Sequence, residues 1–243
     1  MGTVLILFLA VAAMMIGLGK GGLGSAFAGV VTPIASIFMP VSEVVAYLLP
    51  LLIVGDWIAL RAYWGKWDKV QLKLMLPPAF ITVLLGTYLL ANLPTGTLRH
   101  ILGIVTLIVG TYKLIEVRLR RLQYAYRPWH GVIAGGMAGL GSGLASAGGP
   151  ALTAYLLLVR MNPLPYIATS AIFFAIMNLL RLPGLYAAGV FDQEKLIRII
   201  WFLPLVWLGT WLGRDLIKRI NPHHFERLMT TILIIAGMVL LVQ

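Results

Sequence analysis

Long apolar runs separated by short polar stretches set the pattern of this chain. Residues 44–63, 74–93, 98–116, 167–189, 196–213 and 228–242 each approach the ~20 apolar residues that carry an α-helix across a bilayer. Nothing as long as a soluble domain fits between them. Two further apolar stretches differ. "GLGKGGLG", from Gly17, and "GLGSGLASAGGP", from Gly139, put glycines where an uninterrupted span would use helix formers. The pieces 129–141 and 151–159 around the second are each too short to cross about 30 Å. They predict a broken helical hairpin whose glycine-rich turn lies deep in the membrane, and 3–17 with 23–39 predicts its counterpart. Irregular backbone at that depth is tolerated only against protein or a watery cavity. The first apolar stretch has neither a basic n-region nor a small-residue cleavage site, so it reads as structure and not as a signal peptide.

The pattern also repeats. "GLGKG" (17–21) returns as "GLGSG" (139–143), "WDKVQL" (67–72) as "FDQEKL" (191–196), "LLGTYL" (84–89) as "WLGTWL" (207–212), and "TLIVG" (106–110) as "ILIIAG" (232–237). Order is kept and the spacing is nearly constant. Residues 1–116 and 131–243 thus read as two repeats joined by a basic linker, 117–130.

Loop charge gives the repeats opposite orientations. Arg61, Lys66, Lys69 and Lys73 outweigh Asp68 in one loop, whereas its mate balances Asp192 and Glu194 with Lys195 and Arg198. The loop with Arg99 is nearly uncharged, while its mate, 214–227, is basic. Placing 61–73, the linker, Arg160 and 214–227 on the cytoplasmic side puts nearly all the excess positive charge there, as the positive-inside rule requires. Equivalent loops then face opposite sides. The expected fold is all-α and integral to the membrane, with two inverted-topology repeats. Each repeat has a glycine-rich broken hairpin and three spanning helices, giving eight to ten helical segments. Inverted repeats recur in secondary transporters, with the binding site near the midplane between them.

Composition narrows the chemistry. The chain is 60% hydrophobic and 11% charged, as expected of an integral membrane protein. The net charge of +11 sits at helix ends and between helices, which fits cytoplasmic loops and not nucleic-acid binding. With no cysteine there is no disulfide and no thiolate site. Gly17-x-Gly19-x-x-Gly22 formally fits a dinucleotide fingerprint, but it follows an apolar membrane segment and not a strand. No metal site or cofactor is implied. His223, His224, His100 and His130 sit at interfaces, and Trp64, Trp67 and Trp129 suit the membrane belt.

Half-helix N-termini direct free amides into the gap and favour an anion there. Pro150 can open the second half-helix without losing a needed donor. Ser142, Ser146, Thr153 and Ser25 offer hydroxyls. The competing reading is that small residues simply let helices pack closely. Three charges fall inside apolar segments, where such groups usually face an interior or a pathway. Lys20 lies at the first hairpin, and either joins the site or caps the preceding helix. Arg181 lies in "IFFAIMNLLRLPGLY", followed by Pro183 and Gly184. Asp56 aligns with Asn178, and either pairs with Lys20 or Arg181 or carries a proton as the coupling group.

The stretch "GLGSGLASAGGPALTAYLL…NPLPYIATSAIFFAIMNLLRL" resembles the TauE/SafE family of sulfite and organosulfonate exporters, in the hairpin ending Gly-Gly-Pro and the following Ala168-Thr169-Ser170. The resemblance implies an inner-membrane transporter of small sulfur-containing anions such as sulfite or sulfoacetate. It points to Gly148, Gly149, Pro150, Thr169, Ser170, Asn178 and Arg181 as substrate ligands. In the first half, Lys20-Gly21-Gly22 has no nearby proline and Tyr47-Leu48 replaces Thr169-Ser170, so an asymmetric site with Lys20 on one side is implied. The expected partners are a small anion and membrane lipid. A passive anion channel would share these residues. A membrane enzyme acting on lipid headgroups would need clustered acids or histidines, and only isolated pairs occur.

Overall fold

In the computed structural model the described residues are 3–23, 31–119, 127–191, 193–216, 231, 234–235 and 237–242. Ser25, the pair His223 and His224, and most of the expected last span lie outside them.

Among the described residues every regular element is helical. Helix α1 (Thr3–Leu18) runs on through a π-helical turn, Gly19–Leu23, to which Lys20 belongs. A short α2 (Val31–Ser36) precedes α3 (Val41–Ala62), α4 (Lys69–Asn92) and α5 (Thr95–Leu119). The second half holds α6 (Pro128–Ala145), α7 (Gly149–Leu158), α8 (Pro163–Ala187), α9 (Gln193–Ile200) and α10 (Leu203–Leu216). Among the described residues, four helices are long and apolar enough to cross a membrane: Leu5–Gly22, Val41–Ala62, Lys69–Asn92 and Leu164–Ala187. Helices α9 and α10, bent by 43° from each other, pass the same test of length and composition only when taken together. The sequence reads 196–213 there as one apolar segment. The bend falls at Trp201-Phe202, just before Pro204, which accepts the second position of a helix but not its interior.

Local chemistry accounts for the ends. Asp68 caps α4 by accepting from the amides of Val70 (2.8 Å) and Gln71 (3.1 Å). Helix α6 opens on Pro128 and closes in a left-handed cap at Ser146 (φ 55°). There the Ser146 amide bonds Ser142 O (3.0 Å) and the Ala147 amide bonds Gly141 O (2.9 Å), the double bond of a Schellman end. The second hairpin is therefore present, but its break lies at Ser146–Gly148, later than the expected end at Gly141. Helix α6 is about 27 Å long and α7 about 15 Å.

The earlier glycines are helical because they serve packing. A Cβ on Gly135, Gly139 or Gly143 would stand 2.3–2.5 Å from the carbonyl oxygens of Met75, Ala79 and Val83. One stripe of α6 thus lies directly on the backbone of α4, the small-residue contact that lets membrane helices approach. A second pair is built alike. Gly17 meets the Val206 carbonyl, Gly209 and Thr210, just as Gly143 meets the Val83 carbonyl, Gly86 and Thr87. Thr87 and Thr210 each donate to the carbonyl four residues back, both at 2.8 Å. These contacts equate Gly17 with Gly143, one helical turn away from the motif match to Gly139. They set Lys20 opposite Ser146.

Two main cores result. Leu9, Ile16, Ala35, Leu48, Leu51 and Val206 join α1, α2, α3 and α10. Met75, Ala79, Ala138, Leu152, Phe173 and Met177 join α4, α6, α7 and α8. Each core takes its hairpin and central helix from one half of the chain and one further helix from the other, so the halves interlock.

Gly143→Ala forces its methyl against backbone on both sides and is expected to destabilise the fold by about 1–3 kcal/mol. Gly96→Ala, with open space around its Cβ, is the neutral control. Thermal unfolding of the detergent-purified variants measures both, and equal stability would remove the packing role.

Candidate functional site

Helices α3 and α8 pack together and carry two of the buried charges, Asp56 and Arg181. Among the described residues the buried charged side chains are Lys20, Asp56 and Arg181. A buried charge without a partner is costly, so the groups each one reaches define the site.

Lys20 pairs with the Asp56 carboxylate, its ammonium 5.1 Å from the centre of the Phe174 ring. Its stem passes Gly55, where an added Cβ would come within 3.2 Å of Lys20 Cγ. The second oxygen of Asp56 accepts from Asn178 Nδ2 at 2.7 Å. Asp56 therefore bridges the first hairpin and α8. Of the two partners open to it in the sequence, it takes Lys20.

Arg181 has no such partner. Its side chain is 0% exposed, the largest of the fully buried ones. Nη1 donates to Ser146 Oγ at 2.9 Å and Nη2 to the Gly143 carbonyl at 3.2 Å, while Nε has no acceptor. No carboxylate pairs with it among the described residues. Both acceptors lie where α6 ends, so the guanidinium is fastened to the break of the second hairpin. Ser146 holds a left-handed conformation at some cost for a residue with a Cβ, and its side chain is secured by this bond.

Other expected ligands divide between this centre and elsewhere. The Ser142 hydroxyl is buried in the hairpin without a partner. Gly148 is pressed against α6, where a Cβ would meet the Ala138 carbonyl at 2.1 Å and Ser142 Oγ at 2.3 Å. Gly149 and Pro150 begin α7, which no side chain caps. Pro150 also lines a separate apolar groove with Trp129 and Met137. Ser170, its hydroxyl unpartnered, lines a small cleft beside Lys20 with Gly19, Ala59 and Phe174. Thr169, one residue away and so on another helix face, instead accepts from the Asp68 amide at 2.9 Å. Thr153 meets the Tyr166 hydroxyl at 2.9 Å. Gly21 packs on the Thr210 carbonyl, and Gly22 breaks the helical backbone of the π-turn.

Sequence reasoning misses Phe174, although Ser170, Phe174, Asn178 and Arg181 recur at helical spacing and mark one face of α8. It also misses Thr32 and Ser36, whose buried hydroxyls on α2 have no partner. Neither is set apart by sequence, because a lone hydroxyl in an apolar run ordinarily bonds its own helix. His130 is occupied structurally, stacked on Trp129 at 3.8 Å and bonded to the Arg127 amide.

Lys20→Met would leave the Asp56 carboxylate buried with Asn178 alone. The expected loss is about 3–5 kcal/mol, and the double variant Lys20→Met, Asp56→Asn should recover most of it. Thermal melts in detergent decide this. A double variant as unstable as the single one would show that the ion pair is not what the local structure depends on.

A sequence model described as "Sulfite exporter TauE/SafE" matches residues 9–240. No curated protein matches the chain.

Proposed function

The chain belongs to the sulfite exporter TauE/SafE family, and from that premise we propose that it moves a small sulfur oxyanion across the cell's inner membrane, bound at Arg181 between two inverted halves. Membership makes it a multi-pass membrane transporter and not an enzyme. Outward transport follows the family's description as exporters.

The observation that carries the site is the buried guanidinium of Arg181, which no carboxylate among the described residues neutralises. In a medium of low dielectric constant such a group calls for an anion. The guanidinium holds the Ser146 hydroxyl, and the same hairpin break supplies the unpartnered Ser142 hydroxyl and the start of α7, which no side chain caps and where negative charge is favoured. Lys20, Ser170 and Asn178 form the flank toward the first hairpin. Gly148, Gly149 and Pro150 let the chain turn close to the ligand. Thr169, Gly21 and Gly22 act in this reading by holding the surrounding helices, and Ser25 belongs to the first hairpin by sequence.

Three features support the inverted arrangement. The Gly17 and Gly143 contacts are alike residue by residue. The two cores use corresponding elements with α4 and α10 exchanged. Asp56 bonds Asn178, 122 residues on, which is its mate in the repeat. Equivalent residues touch only near a two-fold axis, so that bond is what an axis through the centre would produce. Alternating access then amounts to one half rocking against the other. Asp56, tied to Lys20 and Asn178, is the coupling group we assign, since protonation there would release the bridge.

Proteoliposome currents across sulfite, sulfoacetate, taurine, thiosulfate, sulfate and chloride test this, with a pH-dye flux assay for electroneutral movement. A saturable response to a sulfur oxyanion is expected, reduced about a hundredfold or more in Arg181→Ala, as for loss of a buried charged contact. Asp56→Asn should make the flux insensitive to a pH gradient. Linear, unsaturable flux would indicate a channel, and a response that survives Arg181→Ala would discard the site.

A further inference from the structure

We infer that the site selects its anion by charge, taking one negative charge in preference to two. The inference rests on the reading of Arg181 as the anion's anchor and names the class of anion it admits. Lys20 and Arg181 contribute two positive charges and Asp56, when ionised, one negative. These are the only buried charges among the described residues, so the described interior carries a net single positive charge. Lys20 is already engaged by Asp56, and the second Asp56 oxygen by Asn178. Only Arg181 is left to neutralise a ligand.

A monoanion brings this interior to neutrality. A dianion leaves it with one uncompensated negative charge, which burial penalises. The dianion's second charge is also repelled by the Asp56 carboxylate, which is bonded to Asn178, one helical turn before Arg181 on α8. Shape does not supply this discrimination. A sulfonate and a sulfate present nearly the same group of oxygens, and differ chiefly in that a carbon replaces a charged oxygen. The preferred ligands are therefore sulfonates with one negative charge or hydrogensulfite, not sulfate.

The residues also state how to change the preference. Asp56→Asn keeps the size of the side chain and an oxygen for Asn178, but raises the interior to two positive charges. It should turn the site toward dianions. Adding Lys20→Met to Asp56→Asn returns the interior to one positive charge, held by Arg181 alone, and should restore the original preference.

Methanesulfonate and sulfate serve as the probe pair, titrated calorimetrically into the detergent-purified full chain at pH 7. Wild type should bind methanesulfonate about tenfold or more tightly than sulfate, a modest share of what one unit charge exerts at short range. Asp56→Asn should reverse the order, and the double variant should return it. Monodisperse elution of each variant establishes that it is folded, and the double variant tests the charge rule even if Asp56→Asn is poorly stable. Sulfate binding as tightly as methanesulfonate in wild type would overturn the inference, as would a preference unchanged by Asp56→Asn in a folded protein. Binding of neither probe would also overturn it. In each case saturable, Arg181-dependent sulfite flux in proteoliposomes would leave the transporter reading intact.

Discussion

The interior of this protein is organised around a guanidinium that has been taken out of water without a carboxylate partner among the described residues. Arg181 is fully buried and, among the described residues, bonded to a serine hydroxyl and a backbone carbonyl. Both acceptors exist because α6 stops at a left-handed cap instead of running on. The hairpin break and the buried charge thus depend on each other. An unbroken helix would not present Ser146 in this position, and without Arg181 the Ser146 hydroxyl would lose its partner.

The glycines around this break divide into two groups. Those in α6, with Gly17 and Gly21 on the other side of the molecule, allow backbone to lie on backbone. Between helices in lipid the hydrophobic effect supplies little attraction, so close packing of small residues has to hold the pairs together. Gly148 serves the turn itself, fitting where any side chain would strike α6. Close packing extends up to the cap, and in the second hairpin the break in the helix is confined to Ser146–Gly148.

The two halves resemble each other in framework but not in charge. The position that holds Lys20 in the first hairpin helix holds Ser146 in the second, and Asp56 stands opposite Asn178. One half therefore contains an internally neutral ion pair, and the other contains the unpaired cation with neutral partners. A site with exact two-fold symmetry would have to double whatever charge it carried. On the function proposed above, divergence at these positions would let a repeated framework enclose a single net charge suited to a small anion.

The apolar runs and their lengths determined, without reference to any contact, that the chain is helical and crosses a membrane, because a bilayer demands apolar stretches of a set length. The same runs exposed Lys20, Asp56 and Arg181 as interior charges, since charge inside such a segment is rarely accidental. Sequence left open which cation Asp56 would take, where the hairpin would break, and which glycines pack and which turn. A glycine has no side chain to show which neighbour it faces, so matching "GLGKG" to "GLGSG" by identity set the register one turn from where the helices pack. Adjacent Thr169 and Ser170 likewise look alike in the chain, yet they occupy different faces of α8 and meet different surroundings. Only the tertiary structure decided these matters, because each depends on the distance between groups far apart in sequence: Lys20 from Asp56, Ser146 from Arg181, and the backbone of α6 from that of α4.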